Sequence, residues 1–391
     1  MFELSEEHRM LKDLVAKFVD QELIPLERSV LAREAAGGKA GLSDEEEDRI
    51  LARCKELGLW SLDVPEELGG ANLPTVALMA MNEELGRCAF PFTFPPDSPN
   101  LHMLMAVASP EQRRKYLEPY AAGTAKSAIA ISEPGAGGDP AGMITRAVQD
   151  GNEWVINGRK IWVSRVPQAD FVIVMARTGE GKRHDGVTAF IVEKNEPGFI
   201  IEREIQMIGG QRTYELVFED CRIPAGNLVG EEGKGFDIAK RSLSEGRTML
   251  SARSVGAAQK AMELAIEHGE QRHTFGKALL DHQALAFRLA QMSARTEAGR
   301  LLVYRCAWML DNGSPAIRES STAKFFCGEG LWQTVDDAIQ MLGGYGYISH
   351  EYMIERIWRD SRVVRVYDGS SEVQQILISQ RLRKGDIETR W

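Results

Sequence analysis

Residues 131–139, Ile-Ser-Glu-Pro-Gly-Ala-Gly-Gly-Asp, mark the point at which this chain changes character. Ahead of them apolar residues recur every three or four positions; beyond them come short alternating runs bounded by turn residues. Upstream, Leu11, Leu14, Val15, Phe18 and Val19 follow Ser5 at helical spacing, and Pro25 bends or divides that helix. Ser43 with Glu46 three residues later has the form of a capping box, and Gly58 supplies a stop. The run from Leu73 to Leu85, that from Leu101 to Val107, and a segment opened by Pro110 complete a region that reads as all helical.

Downstream, runs at Glu153 to Ile156, Lys160 to Ser164, Asp170 to Arg177, Val187 to Glu193, Phe199 to Arg203 and Tyr214 to Glu219 predict strands of a small antiparallel domain. Asn157 with Gly158, between two of these runs, predicts a hairpin turn. From Phe236 the helical period returns. Long helices are predicted over Phe236 to Gln271, Asp281 to Leu310, Pro315 to Met341 and Ser370 to Leu382, enough for a bundle. The expected fold class is α+β and multidomain. An N-terminal all-α domain covers 1–124, a middle antiparallel β-barrel or sandwich domain 125–232, and a C-terminal four-helix bundle 233–391.

Composition narrows the function. A chain of 391 residues has room for two or three domains. Its net charge of −10 offers no general attraction to nucleic acid or an anionic membrane. The five cysteines are odd in number, widely spaced and without a Cys-x-x-Cys pair, so neither a disulfide framework nor a zinc cluster is expected. The seven histidines show no paired ligand spacing, and no metal is expected. No apolar stretch approaches the ~18 residues of a membrane span, and a cytoplasmic protein is expected. Gly233-Lys234 and Gly276-Lys277 lack the Ser or Thr that ends a phosphate loop, and no dinucleotide fingerprint is present.

What remains is a set of glycine turns, hydroxyls and arginines suited to a large anionic cofactor. Ser132 to Asp139 offers backbone N–H groups to a pyrophosphate or a planar ring, and Arg272 with Thr274 offers a charge-assisted clamp. Near the C-terminus, a helical pattern stops at Gly343, Gly344 and Gly346, and the chain returns to Asp368 ahead of Ser370. A capping box of Ser371 with Gln374 is expected there. A carboxylate just outside a helix N-terminus has its ionised form favoured, which suits a general base. The same pattern is also common in plain turns and caps.

Taken together and in order, Ile131 to Asp139, then Trp162, Val163 and Ser164, then Arg272 with Phe275 and Gly276, then Gln340 with Gly343 and Gly344, then Tyr367, Asp368, Gly369 and Ser370 resemble the signature segments of the acyl-CoA dehydrogenase family. The resemblance covers nearly the whole chain. It implies FAD between the β domain and the bundle, held by Ile131, Ser132, Gly137, Gly138, Trp162, Val163, Ser164, Ser370 and Glu372. It implies a homotetramer, or a homodimer, whose neighbouring subunit adds Arg272, Thr274, Phe275, His282, Gln283, Gln340, Gly343 and Gly344. Arg247, Ser244 and Gly369 are implied for an acyl-CoA substrate, Asp368 for the catalytic base, and an electron-transferring flavoprotein for the acceptor.

Three departures stand out. Asp368 occupies the place where most of the family has glutamate. Glu245 lies one residue before the position, here Gly246, from which some branches supply their base, and one residue turns a helical side chain by ~100°. Gly138 replaces a usual serine. Two other readings of the same residues are a nitroalkane-oxidase-like flavin oxidase using the same aspartate and a flavoprotein that binds acyl-CoA without turnover.

Overall fold

The computed structural model describes residues 4–96, 100–179 and 185–386, apart from the side chains of 239–242. In the N-terminal region, α1 (Glu6–Phe18) starts at Ser5, whose hydroxyl accepts from the His8 N–H at 3.1 Å. Pro25 divides the helix as expected: a π turn (Val19–Leu23) and a 3-10 turn (Ile24–Leu26) separate α1 from α2 (Glu27–Ala35). The capping box of α3 (Asp44–Glu56) forms, with Ser43 N–H to Glu46 at 2.7 Å and Glu46 N–H to Ser43 at 3.2 Å. Next come α4 (Thr75–Leu85) and α5 (Leu101–Val107), then α6 (Pro110–Gln112) and α7 (Glu118–Ala121) joined by a π turn.

The middle region is one open sheet of β1 (Ser127–Ala130), β2 (Arg146–Asp150), β3 (Glu153–Ser164), β4 (Phe171–Arg177), β5 (Val187–Glu193), β6 (Phe199–Gln206), β7 (Arg212–Pro224) and β8 (Leu228–Val229). Its order is β6-β7-β3-β2-β4-β5-β8, with β1 paired to β4. Pairing is antiparallel except where β1 and the first residue of β2, Arg146, meet β4 in parallel. Alternation along the strands feeds two cores. Ile173, Met175 and Ile191 join Leu101, Leu104 and Tyr116 on the helical side, while Trp154, Phe190 and Phe218 fill the other. The domain is thus sandwich-like rather than a closed barrel.

The expected hairpin at Asn157 is not there. β3 runs through it, and Gly158 (φ +149°) makes an irregularity in its pairing with β7. A side chain at Gly158 would meet Thr145 at 2.4 Å, and the Asn157 amide oxygen accepts from the Asp220 N–H at 2.8 Å. Asn-Gly here serves a bulge and a close approach, which local sequence does not distinguish from a turn.

The C-terminal region packs α8 (Gly235–Gln271), α9 (Gln283–Asp311) and α10 (Ile317–Leu342) against one another, with α11 (Met353–Ser361) and α12 (Ser371–Arg383) on α10. A two-residue ribbon, β9 (His273–Thr274) with β10 (Lys277–Ala278), joins α8 to α9. The N-terminal helices are keyed into this bundle at two places. Asp311, at the end of α9, accepts from the first N–H groups of α4, Thr75 at 2.6 Å and Val76 at 2.9 Å. Alongside, α4 and α8 touch backbone to backbone: a Cβ at Gly256 would lie 1.9 Å from the Glu83 carbonyl oxygen, and one at Gly86 2.2 Å from that of Arg253. Gly256→Ala is therefore expected to force the helices apart and to cost about 3 kcal/mol, read from the denaturant midpoint. An unchanged midpoint would contradict the close approach.

No helix among the described residues is long and apolar enough to cross a membrane, and none of their His, Cys, Asp and Glu side chains cluster as metal ligands do.

Candidate active site

The turn before α12 carries the site's carboxylate. Asp368 and Gly369 are both left-handed, with φ of +53° and +83°. Such a conformation is unfavourable for aspartate unless the surroundings impose it. Here they do. The buried Gln374 amide donates to the Asp368 carbonyl at 3.0 Å and to the Gly369 carbonyl at 2.9 Å, and the Lys324 ammonium donates to the Gly369 carbonyl at 2.7 Å. Because N–H and C=O of a trans peptide point opposite ways, anchoring these carbonyls turns the Gly369 and Ser370 N–H groups outward. Neither N–H has a partner among the described residues. The expected capping box is corrected: Ser370, not Ser371, caps α12 by accepting from Val373 at 3.4 Å. Ser371 instead donates to Glu329 at 2.6 Å, and Gln374 reaches back to the loop.

The Asp368 carboxylate lies in a recess, surrounded by protein yet reached by solvent. Burial pushes its pKa above the ordinary aspartate value, and Lys324 and Arg247 pull it back only in part. Arg247, on α8, is 8 % exposed, and its buried Nε has no hydrogen-bond partner. Burial lowers Arg247 against the pull of Asp368. Ser244, one turn earlier, has its hydroxyl committed to the Pro315 carbonyl at 2.9 Å. Glu245 is turned to the N-terminal region, where its carboxylate lies 3.6 Å from the His102 ring and His102 lies 3.5 Å from Asp63. Gly246 between them faces open space, since an added Cβ would touch nothing within 4 Å.

The glycine loop 131–139 reaches this turn: a Cβ on Gly138 would stand 3.8 Å from Val373 in the first turn of α12. Gly137 faces open space. At the other end of the loop, the Ser132 carbonyl accepts from the Ile161 N–H at 2.9 Å, which sets the loop beside the end of β3. There Trp162 is left-handed (φ +62°) and 51 % exposed; Ser164 is exposed and Val163 is buried in the sheet's core. Ile131 packs against the other core.

Beneath the loop lies a pair that no local pattern marks. Lys160, fully buried, donates to Glu133 at 2.7 Å and to the Ile131 carbonyl at 3.0 Å. Glu133 also accepts from the N–H groups of Ile144 at 2.7 Å and Thr145 at 3.0 Å. Burial would raise the Glu133 carboxyl, but Lys160 and those donors hold it below its ordinary value. Burial presses Lys160 down to about 8.

The remaining sequence candidates form a second group. Arg272, Thr274, Gly343 and Gly344 line one pocket of about 390 Å³ together with His268 and Tyr345. His282 reaches the Thr274 carbonyl at 3.2 Å, and Phe275, 97 % exposed, sits edge-on to it. Gln283 opens α9, and Gln340 is exposed near the end of α10. Both groups touch α10, one at Lys324 and the other at Gly343. The residues between them span about 28 Å at 1.5 Å per residue. The two groups therefore lie apart within one chain.

The chain matches three family models in succession: acyl-CoA dehydrogenase N-terminal domain over residues 5–124, middle domain over 128–221 and C-terminal domain over 233–383. The chain belongs to the acyl-CoA dehydrogenase family. It is 35 % identical to the mitochondrial short-chain specific acyl-CoA dehydrogenase of Rattus norvegicus over 97 % of this chain and 91 % of that protein. It is 36 % identical to the caffeyl-CoA reductase–Etf complex subunit CarC of Acetobacterium woodii, over 97 % of this chain and 99 % of that one. The structure of butyryl-CoA dehydrogenase from Megasphaera elsdenii superposes with a TM-score of 0.86 at 31 % identity, covering 98 % of this chain and all of that one.

As an acyl-CoA dehydrogenase-type oxidoreductase, the protein takes FAD as its cofactor. The residues present fit that group. Trp162 and Ser164 are both exposed at the end of β3, Gly137 leaves open space in the adjoining loop, and Gly138 brings that loop to the first turn of α12, beside the two unpartnered N–H groups of the Asp368 turn.

Proposed function

We propose that the protein is an acyl-CoA dehydrogenase in which Asp368 removes the α-proton of an acyl-CoA thioester, giving the 2,3-enoyl-CoA. The observation that carries this reading is the Asp368 turn itself: a carboxylate and outward N–H groups on one left-handed loop, ringed by Lys324 and Arg247 and touching the glycine loop through Val373. A carboxylate there takes the proton while a thioester carbonyl accepts from backbone N–H, which acidifies the α-carbon. FAD, when bound, supplies the acceptor for the two electrons and hydrogen of the β C–H bond. Ser132, Trp162 and Ser164 would hold its ring, and Glu372 and Ser370 would contribute from the start of α12. Val163 and Ile131 act from behind, as packing. The Arg272–Gly344 pocket, with Phe275, His282, Gln283 and Gln340, completes the cofactor site of a neighbouring subunit in a homotetramer or homodimer, since it lies too far from Asp368 to serve its own chain. Electrons then pass to an electron-transferring flavoprotein, as the Etf-complex relative suggests.

The test is anaerobic addition of straight, branched, aromatic and steroid-side-chain acyl-CoAs to the FAD-loaded protein. Bleaching of the flavin by one class supports the reading and names the substrate. Silence across the thioesters, with bleaching by nitroalkanes, replaces it by the oxidase reading.

The rate of that bleaching has a defined pH dependence. Asp368 works only when ionised, and its pKa lies above the ordinary aspartate value of about 3.9. The rate is therefore expected to fall as pH drops, with the midpoint of the fall above pH ~4. A rate that holds level to below pH ~4 removes Asp368 from the role.

A further inference from the structure

We propose that Lys324 is a positioning residue for this reaction: it anchors the left-handed Asp368–Gly369 turn through the Gly369 carbonyl and so sets a buried positive charge against the turn that carries the Asp368 carboxylate. The inference rests on Asp368 being the base, and it assigns a role to a lysine in the interior of α10 that no motif marks.

The geometry separates two jobs. A carbonyl needs only a donor, and Gln374 already supplies a neutral one to the same oxygen at 2.9 Å. An ammonium that is 1 % exposed is a costly way to add a second, because a buried charge loses several kcal/mol of hydration. Its charge must have a counterpart. Glu329, on the same helix, is engaged by Arg365 at 2.8 Å and by Ser371 at 2.6 Å, and Glu372 lies on the exposed side of α12. Arg247, from α8, is a second cation facing the same turn, and the Tyr367 phenol beside it is neutral. Of the carboxylates that hold the ammonium charged, Asp368 acts most strongly, ahead of Glu329 and Glu372. Burial presses Lys324 down to about 8 and Asp368 holds it up. The arrangement also answers the shortness of aspartate. A carboxylate on a short side chain cannot swing to find its proton, so its backbone must be held, and Lys324 with Gln374 holds both flanking carbonyls.

The test follows the Asp368 carboxyl in FAD-loaded protein carrying 13C-labelled aspartate, its NMR signal assigned by loss in Asp368→Asn. Lys324→Gln keeps a donor and removes the charge; Asp368 is expected to protonate at a pH higher by about one or more. Lys324→Arg keeps the charge and should leave that titration in place while slowing flavin reduction about tenfold by misplacing the turn. Gln374→Leu removes a neutral donor and should slow reduction without moving the titration. A titration unmoved in Lys324→Gln, or moved equally in Gln374→Leu, overturns the proposal. If Lys324→Gln fails to hold FAD, Lys324→Arg decides: a titration displaced there overturns it too. The titration needs no substrate. Parent protein that no thioester reduces would refute the dehydrogenase reading while leaving the Lys324 result intact.

Discussion

Asp368→Asn, still holding FAD, is expected to be reduced by its best acyl-CoA about 10³-fold more slowly than the parent. The amide matches the carboxylate in size and keeps the turn, but it cannot accept a proton, and a positioned base contributes 10²–10⁴-fold to such steps. The turn should persist and FAD stay bound, because the contacts that shape it are made by the Asp368 and Gly369 carbonyls, while thermal stability falls because the buried Lys324 ammonium loses its leading counter-charge. Reduction at the parent rate would refute the assignment. Asp368→Glu separates this reading from a simple charge requirement. With the backbone pinned by Gln374 and Lys324, the extra methylene moves the carboxylate forward by ~1.5 Å. A displacement of that size is worth about 10²-fold. A loss with glutamate would show that this turn has been set for the shorter side chain.

The helix–sheet–helix order could be read from sequence because periodicities of 3.6 and 2 are local properties. The capping box of Ser43 with Glu46 was similarly readable, from residue type and spacing. The errors fall where a partner elsewhere in the chain decides. Asn157-Gly158 has every local mark of a turn, but β7 continues alongside it and Thr145 packs against the glycine, so the strand goes on. Gln374 stands at capping-box spacing from Ser371, yet Ser371 is drawn to Glu329 and the glutamine is left to bind two carbonyls. Lys160 and Lys324 resemble the solvated lysines of any strand or helix. Only the tertiary structure shows that one lies under the glycine loop and the other under the Asp368 turn. The second group was expected residue by residue from resemblance; Arg272, Thr274, Gly343 and Gly344 line one pocket, and the length of α10 sets it away from Asp368.

Lys160→Met is expected to be the most destabilising of the substitutions considered, by about 4 kcal/mol, with FAD lost on gel filtration. The lysine lies wholly inside the protein between Glu133 and the Ile131 carbonyl. Removing one member of a buried pair strands the other's charge, at a cost of about 3–5 kcal/mol. The loss falls on the glycine loop, because Glu133 ties Ile144 and Thr145 to it and Lys160 ties Ile131 to β3. Glu133→Gln alone should cost less, since the amide oxygen still accepts from a backbone N–H, and Glu133→Gln with Lys160→Met should recover part of the single-mutant loss. A double-mutant cycle with no coupling would mean that the pair does not act as one unit. The pH dependence carries the same sign. The Glu133 pKa is held below its unfolded value, so its stabilisation is present above about pH 4.3. It disappears as pH falls through the lower folded value, and FAD should be released over that same acidic window in the parent protein but not additionally in the double variant.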